Sequence, residues 1–475
     1  MKFNELNLSK ETLKALDYLG YHEVYPVQQA LIKEINENHD VLVQSATGSG
    51  KTAAYAIPII EAITINQKEP QALILTPTRE LALQVKQEFD HISAYKQLKV
   101  LPIYGRTPYK YQYQDLKQRT HIICATVGRI LDHMKQNSFD YSKIKYVVID
   151  EADEMFNMGF IDNVKEIISF LPQDKVMILC SATLPEAILN LASDVLVDPK
   201  YLSFQEGNEV KVELQHYGYE VEDKKAALIK VLGNHQPKSC IIFANTQELV
   251  KEIAMTLDEL AIDVDMLHGG MLQEDRISNI NDFKKGKLRI LVATDVAARG
   301  IDVEKVDLII NYELPFQSEI YIHRIGRSAR NKESGLAISL ISKNDHYYLN
   351  QIEEYLKQKI ELKDVNSLAE IDLDHLDLGP LEKQKKDKAE AIKEDFETIY
   401  IGGGKKKKIR AGDIVGALCG IEGVGVDDIG IIQVQDHQSY VNILNGKAPQ
   451  IIKYFKKHTI KNKKIRVSYA KKVED

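Results

Sequence analysis

The stretch that most restricts this chain is residues 41–62, VLVQSATGSGKTAAYAIPIIEA. A short apolar run, Val41–Val43, meets a glycine-rich turn, and a helix-like run follows at once. Glycine lets a backbone wrap closely round an anion, and the unpaired N–H groups that open a helix then face it. In SATGSGKT, Ser45, Thr47, Gly48, Ser49 and Gly50 would form the cradle. Lys51 would reach the β- and γ-phosphates of a nucleotide, and the Thr52 hydroxyl would ligate Mg2+. The bland alternative is a plain strand-to-helix turn. Either way the segment commits its surroundings to an α/β fold, because the motif works only where a buried strand feeds a helix.

The rest of the chain repeats that rhythm. VLVQSA, ALILTP, HIICAT, YVVIDEAD and VMILCSAT are short runs rich in Val, Ile and Leu, the pattern of parallel strands covered by helices on both faces. A second series follows from about residue 210: SCIIFANT, DVDMLHGG, LRILVATD, VDLIINYE and GLAISLIS. Two α/β lobes are expected, over 1–205 and 206–360. Residues 361–395 lose the pattern, carry a Gly-Pro break and a highly charged stretch, and read as a linker. Residues 396–475 read strand, helix, strand, strand, helix, strand, a small α+β sandwich.

Charge divides the same way. The chain has 62 Lys+Arg against 69 Asp+Glu, a net of −7. From Phe396 onward, however, 15 basic residues face 8 acidic ones. A basic module on an acidic body points to an anionic partner, most often nucleic acid. The four cysteines, Cys124, Cys180, Cys240 and Cys419, lack zinc or disulfide spacing. With no apolar export signal and no membrane-length apolar run, the expected compartment is the cytoplasm, with no membrane partner.

Asp150-Glu151-Ala152-Asp153 ends the apolar run YVVI. A carboxylate closing a buried strand beside a phosphate loop suits Mg2+, which assigns Asp150 and Thr52 as metal ligands. The next carboxylate, Glu151, can orient and deprotonate an attacking water. DEAD at 150–153 resembles the signature of the DEAD-box RNA helicases. Further blocks of that family follow in order: YPVQ at 25–28, PTRELALQ at 77–84, SAT at 181–183, IIFANT at 241–246, ATDVAARGID at 293–302 and HRIGRSAR at 323–330. The resemblance covers about residues 1–360.

It implies two RecA-like lobes and an RNA-stimulated ATPase using ATP and Mg2+. Gln28 resembles the residue that reads adenine, giving ATP over GTP. Phe3 resembles an aromatic that stacks on adenine, and a core anchor is the competing role. Asp153, Ser181, Thr183 and His323 belong to blocks that couple hydrolysis to strand separation. Arg324 is expected to tie its loop to the DEAD carboxylates, and Asp302 to touch the ribose and couple the lobes. Arg327 and Arg330 resemble arginine fingers that stabilise charge building on the transferred phosphoryl group. Thr78, Arg79, Gly105, Thr126, Gly128 and Arg129 resemble RNA-backbone contacts of the first lobe, and Gln273, Arg276 and Thr294 those of the second. Contacts to phosphate and sugar carry no sequence information, so the core is expected to be sequence-blind.

Five positions depart from the family pattern: Ser45 for Ala, Arg106 for the second Gly of a GG pair, Val127 for Pro, and Ser328-Ala329 for Thr-Gly.

The last module offers an address. Tyr400 in IYIGG and Tyr440 in SYVNIL fall on the first and third strands, central neighbours in an RNA-recognition-motif sheet, where aromatics stack on unpaired bases. Gln438 stands where such a sheet usually has an aromatic. Lys405, Lys406, Lys407 and Lys408 sit in the loop before the first helix, where neutralised phosphates give affinity and salt dependence. Arg410 can stack on or fork a base. A mobile basic loop is the alternative. GGGKKKKIRAGDIVGAL, DDIGIIQV and SYVNILNGK resemble the RNA-binding domain of the DbpA/YxiN helicases. That resemblance implies a hairpin of 23S rRNA as partner and a role in assembly of the large ribosomal subunit; a monomer is the default expectation. The rival readings are a general DEAD-box helicase in cold adaptation or mRNA turnover, and an ATP-gated RNA clamp.

Overall fold

The computed structural model describes residues 1–45, 49–204, 215–298, 306–328, 335–371, 378–380 and 397–470. Three sheets organise them. The first holds β1 Val41–Ser45, β2 Ala72–Thr76, β3 Val100–Ile103, β4 Ile122–Thr126, β5 Tyr146–Ile149, β6 Val176–Ser181 and β7 Lys200–Phe204, in the order β3-β4-β2-β5-β6-β1-β7. From β3 to β1 every pairing is parallel. β1, β2, β4, β5 and β6 are buried along their whole length, so they read as unbroken apolar runs. Parallel strands must be covered on both faces by their crossover helices. Sequence patterning passed over β3 and β7. Both are edge strands. β3 carries Pro102, which an edge tolerates, and β7 is largely exposed.

The second sheet repeats the architecture with β8 Gln215–Glu220, β9 Cys240–Phe243, β10 Val264–Leu267, β11 Ile290–Ala293, β12 Leu308–Asn311, β13 Leu336–Ile341 and β14 Glu361–Asp364. Its order is β10-β11-β9-β12-β13-β8-β14, parallel throughout. Residues read from sequence as the start of the linker belong to this lobe. β14 is its edge strand, Leu378 is fully buried in its core, and Asp263 N–H donates to the Leu378 carbonyl at 3.0 Å. The buried Arg289 adds a bond from Nη1 to the Gly379 carbonyl at 3.2 Å.

The third sheet is antiparallel: β15 Glu397–Ile401, β16 Ile429–Val434, β17 Ser439–Ile443 and β18 Val467–Tyr469, in the order β16-β17-β15-β18. The helices Ala411–Cys419 and Ala448–Phe455 supply Ile414, Leu418, Ile451 and Phe455 to a core of its own. The first and third strands of this module are the central pair, as the sequence pattern predicts.

Among the described residues no helix is long and apolar enough to cross a membrane. The four cysteines are unbridged, and three of them are buried.

Candidate functional site

In the first lobe the functional segments follow the carboxyl ends of the parallel strands, where open α/β sheets bind ligands. Lys51 opens the helix Lys51–Ala62 after β1 and is buried, its ammonium donating to the Ser45 carbonyl. Ser45 is also buried and donates from Oγ to Ser49 Oγ at 2.7 Å. Gly50 has φ +86°, and a Cβ there would stand 2.9 Å from Gln28 Nε2, so only glycine lets Gln28 pack on the phosphate loop. Gln28 is buried in the helix Pro26–Asn36, and its Oε1 accepts from Tyr25 N–H at 2.9 Å. Phe3 is 3% exposed and packs beside Tyr21, ring centroids 6.3 Å apart, which places it in the core. Thr47 and Gly48 lie outside the described residues.

The acidic cluster follows β5. Asp150 is buried, its Oδ1 accepting from Glu151 N–H at 3.0 Å and its Oδ2 from the Tyr55 phenol at 2.7 Å. Burial pushes the Asp150 carboxyl above its ordinary value, and the Lys51 ammonium opposes that rise. Glu151 has φ +53°, a left-handed conformation costly for a residue with a side chain, and it caps the short helix Ala152–Asn157. Asp153 reaches across to the end of β6. Its Oδ2 accepts from Ala182 N–H at 3.2 Å, Thr183 N–H at 2.9 Å and Thr183 Oγ1 at 3.0 Å, while Ser181 Oγ donates to the Thr183 carbonyl at 2.6 Å. The residues expected to couple hydrolysis to strand separation on this lobe are thus one hydrogen-bonded unit.

The expected RNA contacts of this lobe cluster at the ends of β2, β3 and β4. Thr78 caps the helix Arg79–Ile92 by accepting from Leu81 N–H at 3.2 Å. A Cβ on Gly105 would lie 3.6 Å from Arg79 Nη2. Arg129 donates from Nη1 to the Thr107 carbonyl at 2.8 Å and to Gln112 Oε1 at 2.9 Å. Gln112, buried and missed from sequence, also donates to the Tyr104 carbonyl at 2.8 Å, so it holds the whole loop. Arg106 has φ +60°, which explains the glycine that the family prefers there. Thr126 occupies the residue before the helix Val127–Lys135 without a side-chain bond to its first turn, and a Cβ on Gly128 would meet nothing within 4 Å. Val127 is the first helical residue, the position that best accepts proline, and its side chain is buried in the core.

In the second lobe, Gln273 and Arg276 lie in the first turn of the helix Gln273–Lys284 after β10. Thr294 follows the neighbouring β11, its N–H donating to the Leu267 carbonyl at 3.1 Å. His323, half-buried, and Arg324, buried, end the helix Ser318–Ile325. The Arg324 guanidinium is hydrogen-bonded within its own lobe. Nε and Nη2 fork the Asp295 carboxylate at 2.5 and 2.7 Å. Nη1 serves Asn311 Oδ1 at 3.1 Å and the Glu313 carbonyl at 2.6 Å, and Nη2 also serves Asn245 Oδ1 at 2.9 Å. Five bonds match its five donors. Arg327 is 9% exposed on the following turn. Ser328 is buried, its Oγ donating to the Val306 carbonyl at 2.9 Å and accepting from Leu336 N–H at 2.8 Å. Asp302, Ala329 and Arg330 lie outside the described residues.

In the C-terminal module Tyr400 and Tyr440 are direct partners across β15 and β17, their rings edge-on with centroids 5.8 Å apart. Gln438 donates from Nε2 to the Tyr440 hydroxyl at 2.9 Å. The lysines form a fixed turn with exposed side chains. Lys405–Lys407 is one turn of 3-10 helix, and Lys405 and Lys406 N–H donate to the Gln435 and Asp436 carbonyls, each at 2.9 Å. A Cβ on Gly404 would lie 2.0 Å from the Gln435 carbonyl oxygen, so the glycine sets this approach. Lys461 Nζ donates to the Lys408 carbonyl at 3.1 Å and Lys463 Nζ to the Lys407 carbonyl at 2.5 Å. Arg410, exposed, caps the helix Ala411–Cys419, its N–H bonded to Asp413 Oδ2 at 2.9 Å.

Comparison with known proteins agrees with this geometry. Residues 25–191 match the DEAD/DEAH box helicase family, 223–332 the helicase conserved C-terminal domain, and 398–469 the DbpA RNA binding domain. The chain is 44% identical to the ATP-dependent RNA helicase DbpA of Bacillus subtilis, across 99% of both chains. It is 36% identical to DbpA of Escherichia coli, again across 99% of both. Among solved structures, S. cerevisiae Dbp5 bound to RNA and ADP BeF3 superposes with a TM-score of 0.70 at 29% identity, covering 77% of this chain and 96% of that one. With the fold, the motifs and full-length relatives in agreement, the chain belongs to the DEAD-box ATP-dependent RNA helicases, and within them to the DbpA type that carries its own RNA-binding domain.

Proposed function

We propose that this helicase hydrolyses ATP when RNA binds, opens short duplexes locally, and is held by its C-terminal domain to a 23S rRNA hairpin during assembly of the large ribosomal subunit. The observation that carries the tether is the lysine turn. Lys405–Lys408 stand on a backbone pinned from both sides, beside the Tyr400–Tyr440 pair. A fixed cationic turn loses less entropy on meeting a phosphate backbone than a loose one would. The same reading gives a cytoplasmic monomer.

In the core, Gln28 against Gly50 supports an adenine-reading role, and Lys51 a phosphate-binding one. The Thr52 hydroxyl and the buried Asp150 carboxylate are hard oxygen donors, the chemistry that suits Mg2+. When bound, the ion neutralises phosphate charge. Glu151 is the assigned base for water, and Arg327 and Arg330 are the assigned cations for the transferred phosphoryl group. Asp153, bonded to the Ser181–Thr183 segment, passes the state of the site to the RNA-contacting loops.

Steady-state ATPase activity tests this at moderate salt with a 23S fragment containing the peptidyl-transferase hairpin, with poly(U), and without RNA. The fragment should stimulate about tenfold more effectively than poly(U) at equal concentration. Replacing Lys405–Lys408 together by alanine should erase that difference and leave the poly(U) response. Equal stimulation by both RNAs in both proteins would mean a general helicase instead. Unwinding supported equally by a non-hydrolysable ATP analogue would mean a clamp.

A further inference from the structure

Tyr55 sits one turn into the helix Lys51–Ala62 and is fully buried, its ring against Phe89 with centroids 6.2 Å apart. Its phenol donates to Asp150 Oδ2 at 2.7 Å. Thr52, three residues earlier, lies on the same face of that helix. The phenol that bonds one oxygen donor assigned to the metal thus rises from the helix that carries the other.

Those donors come from elements with no backbone ladder in common. Thr52 follows β1 and Asp150 follows β5, and β6 lies between them in the sheet. Side chains must set their relative placement. Asp150 Oδ1 already accepts from the Glu151 N–H. With a donor on each oxygen, the carboxylate plane is fixed. Among the described residues, the other hydrogen bond to this carboxylate comes from the backbone N–H of the left-handed Glu151. A buried tyrosine needs a partner for its hydroxyl, but packing alone would accept any carbonyl. Here the partner is the first carboxylate of the DEAD sequence.

We propose that Tyr55 is a positioning residue of the metal–nucleotide site, its phenol setting the Asp150 carboxylate against the Thr52 hydroxyl and so raising the affinity for Mg2+ in the nucleotide complex. This rests on the ATP–Mg2+ reading above.

Tyr55→Phe keeps the ring and removes the oxygen. The readout is binding of a fluorescent ADP to the full chain, titrated with Mg2+ and repeated in EDTA. The Mg2+ concentration that half-maximally tightens ADP binding should rise at least about tenfold, the loss expected for one hydrogen bond to a charged group. ADP affinity in EDTA should stay within about twofold, and the unfolding midpoint in EDTA should move only slightly, because ring packing is kept. Phe89→Leu, which disturbs the ring's packing and leaves the hydroxyl, should lower stability without changing the Mg2+ titration. An unchanged Mg2+ titration in Tyr55→Phe would overturn the proposal. Equal weakening with and without Mg2+ would also overturn it, since the residue would then only shape the pocket. If the unaltered protein showed no Mg2+ dependence at all, the metal reading of the site would fall, and this inference with it.

Discussion

The helicase core and the C-terminal module hold their functional charges in opposite ways. Lys51, Asp150, Asp153 and Arg324 are all less than a tenth exposed and hydrogen-bonded to fixed partners, whereas Lys405–Lys408 present their side chains to solvent. In the core, removing one group leaves its buried partners unsatisfied, so single changes should be costly and little affected by salt. On the module, charge acts through a screened field, so single changes should be mild, additive and dependent on ionic strength. The core uses buried polar groups to fix geometry. The module fixes its backbone and leaves its charges exposed at the surface, where an anion can reach them, with Lys407 Nζ also donating to the Gly402 carbonyl at 2.7 Å and Lys406 Nζ meeting His437 Nε2 at 3.1 Å.

Four experiments can break or sharpen this contrast. The largest effect is expected at Arg324. Arg324→Met strands Asp295, Asn311 and Asn245 and should destabilise the second lobe by about 3–5 kcal/mol, read from urea unfolding. A loss below about 1 kcal/mol would mean that the buried network does not behave as a unit.

His133 comes next. It is fully buried and stacked on Tyr109 at 4.1 Å, and burial holds its imidazole down at about 4. The folded chain therefore resists the proton that the unfolded chain takes up near pH 6.5. The resulting stability should be intact above about pH 6.5 and lost as pH falls toward 4, on the order of 3 kcal/mol in all. Thermal unfolding across that range should flatten in His133→Phe, and an unchanged slope would place the acid sensitivity elsewhere.

On the module, each lysine of 405–408 changed to alanine should weaken rRNA-hairpin binding by only a few-fold, roughly 0.5–1 kcal/mol. All four together should reduce the salt slope of log K by about 0.7–0.9 for each phosphate that is no longer neutralised. A fall in affinity with the salt slope unchanged would mean that the lysines act through structure. The smallest effect is expected at Arg106→Gly, which relieves φ +60° and should stabilise the first lobe by up to about 1 kcal/mol. Urea unfolding reads it, and a destabilised variant would mean that the arginine side chain holds its loop.

Much of this was legible before the structure, for a physical reason. Strands buried on both faces cannot vary their polarity, so β1, β2, β4, β5 and β6 announce themselves as apolar runs. β8, with the sequence QHYGYE, and β14, with ELKD, do not, because their residues are mostly exposed or half-buried. That is why the second lobe was expected to end before Glu361. The phosphate loop, the DEAD carboxylates, Ser181 and Thr183 were readable because their chemistry needs particular residues at fixed local spacing.

What the chain alone determined, then, is whatever depends on near neighbours: the βα rhythm, the loop that can hold phosphate, the acidic strand end, and the basic turn before a helix. Tertiary structure decided which distant groups meet. Arg324 could be recognised as important from HRIGRSAR, but its partner Asp295 lies 29 positions away. Tyr55 reads as one more apolar residue of a helix, and only the fold brings its hydroxyl to Asp150, 95 positions on. Gln112 gives no local sign that it will gather Arg129 and Tyr104. Such pairings are set by the strand order of a parallel sheet, in which strands adjacent in space are often far apart in sequence, and no local pattern records that order.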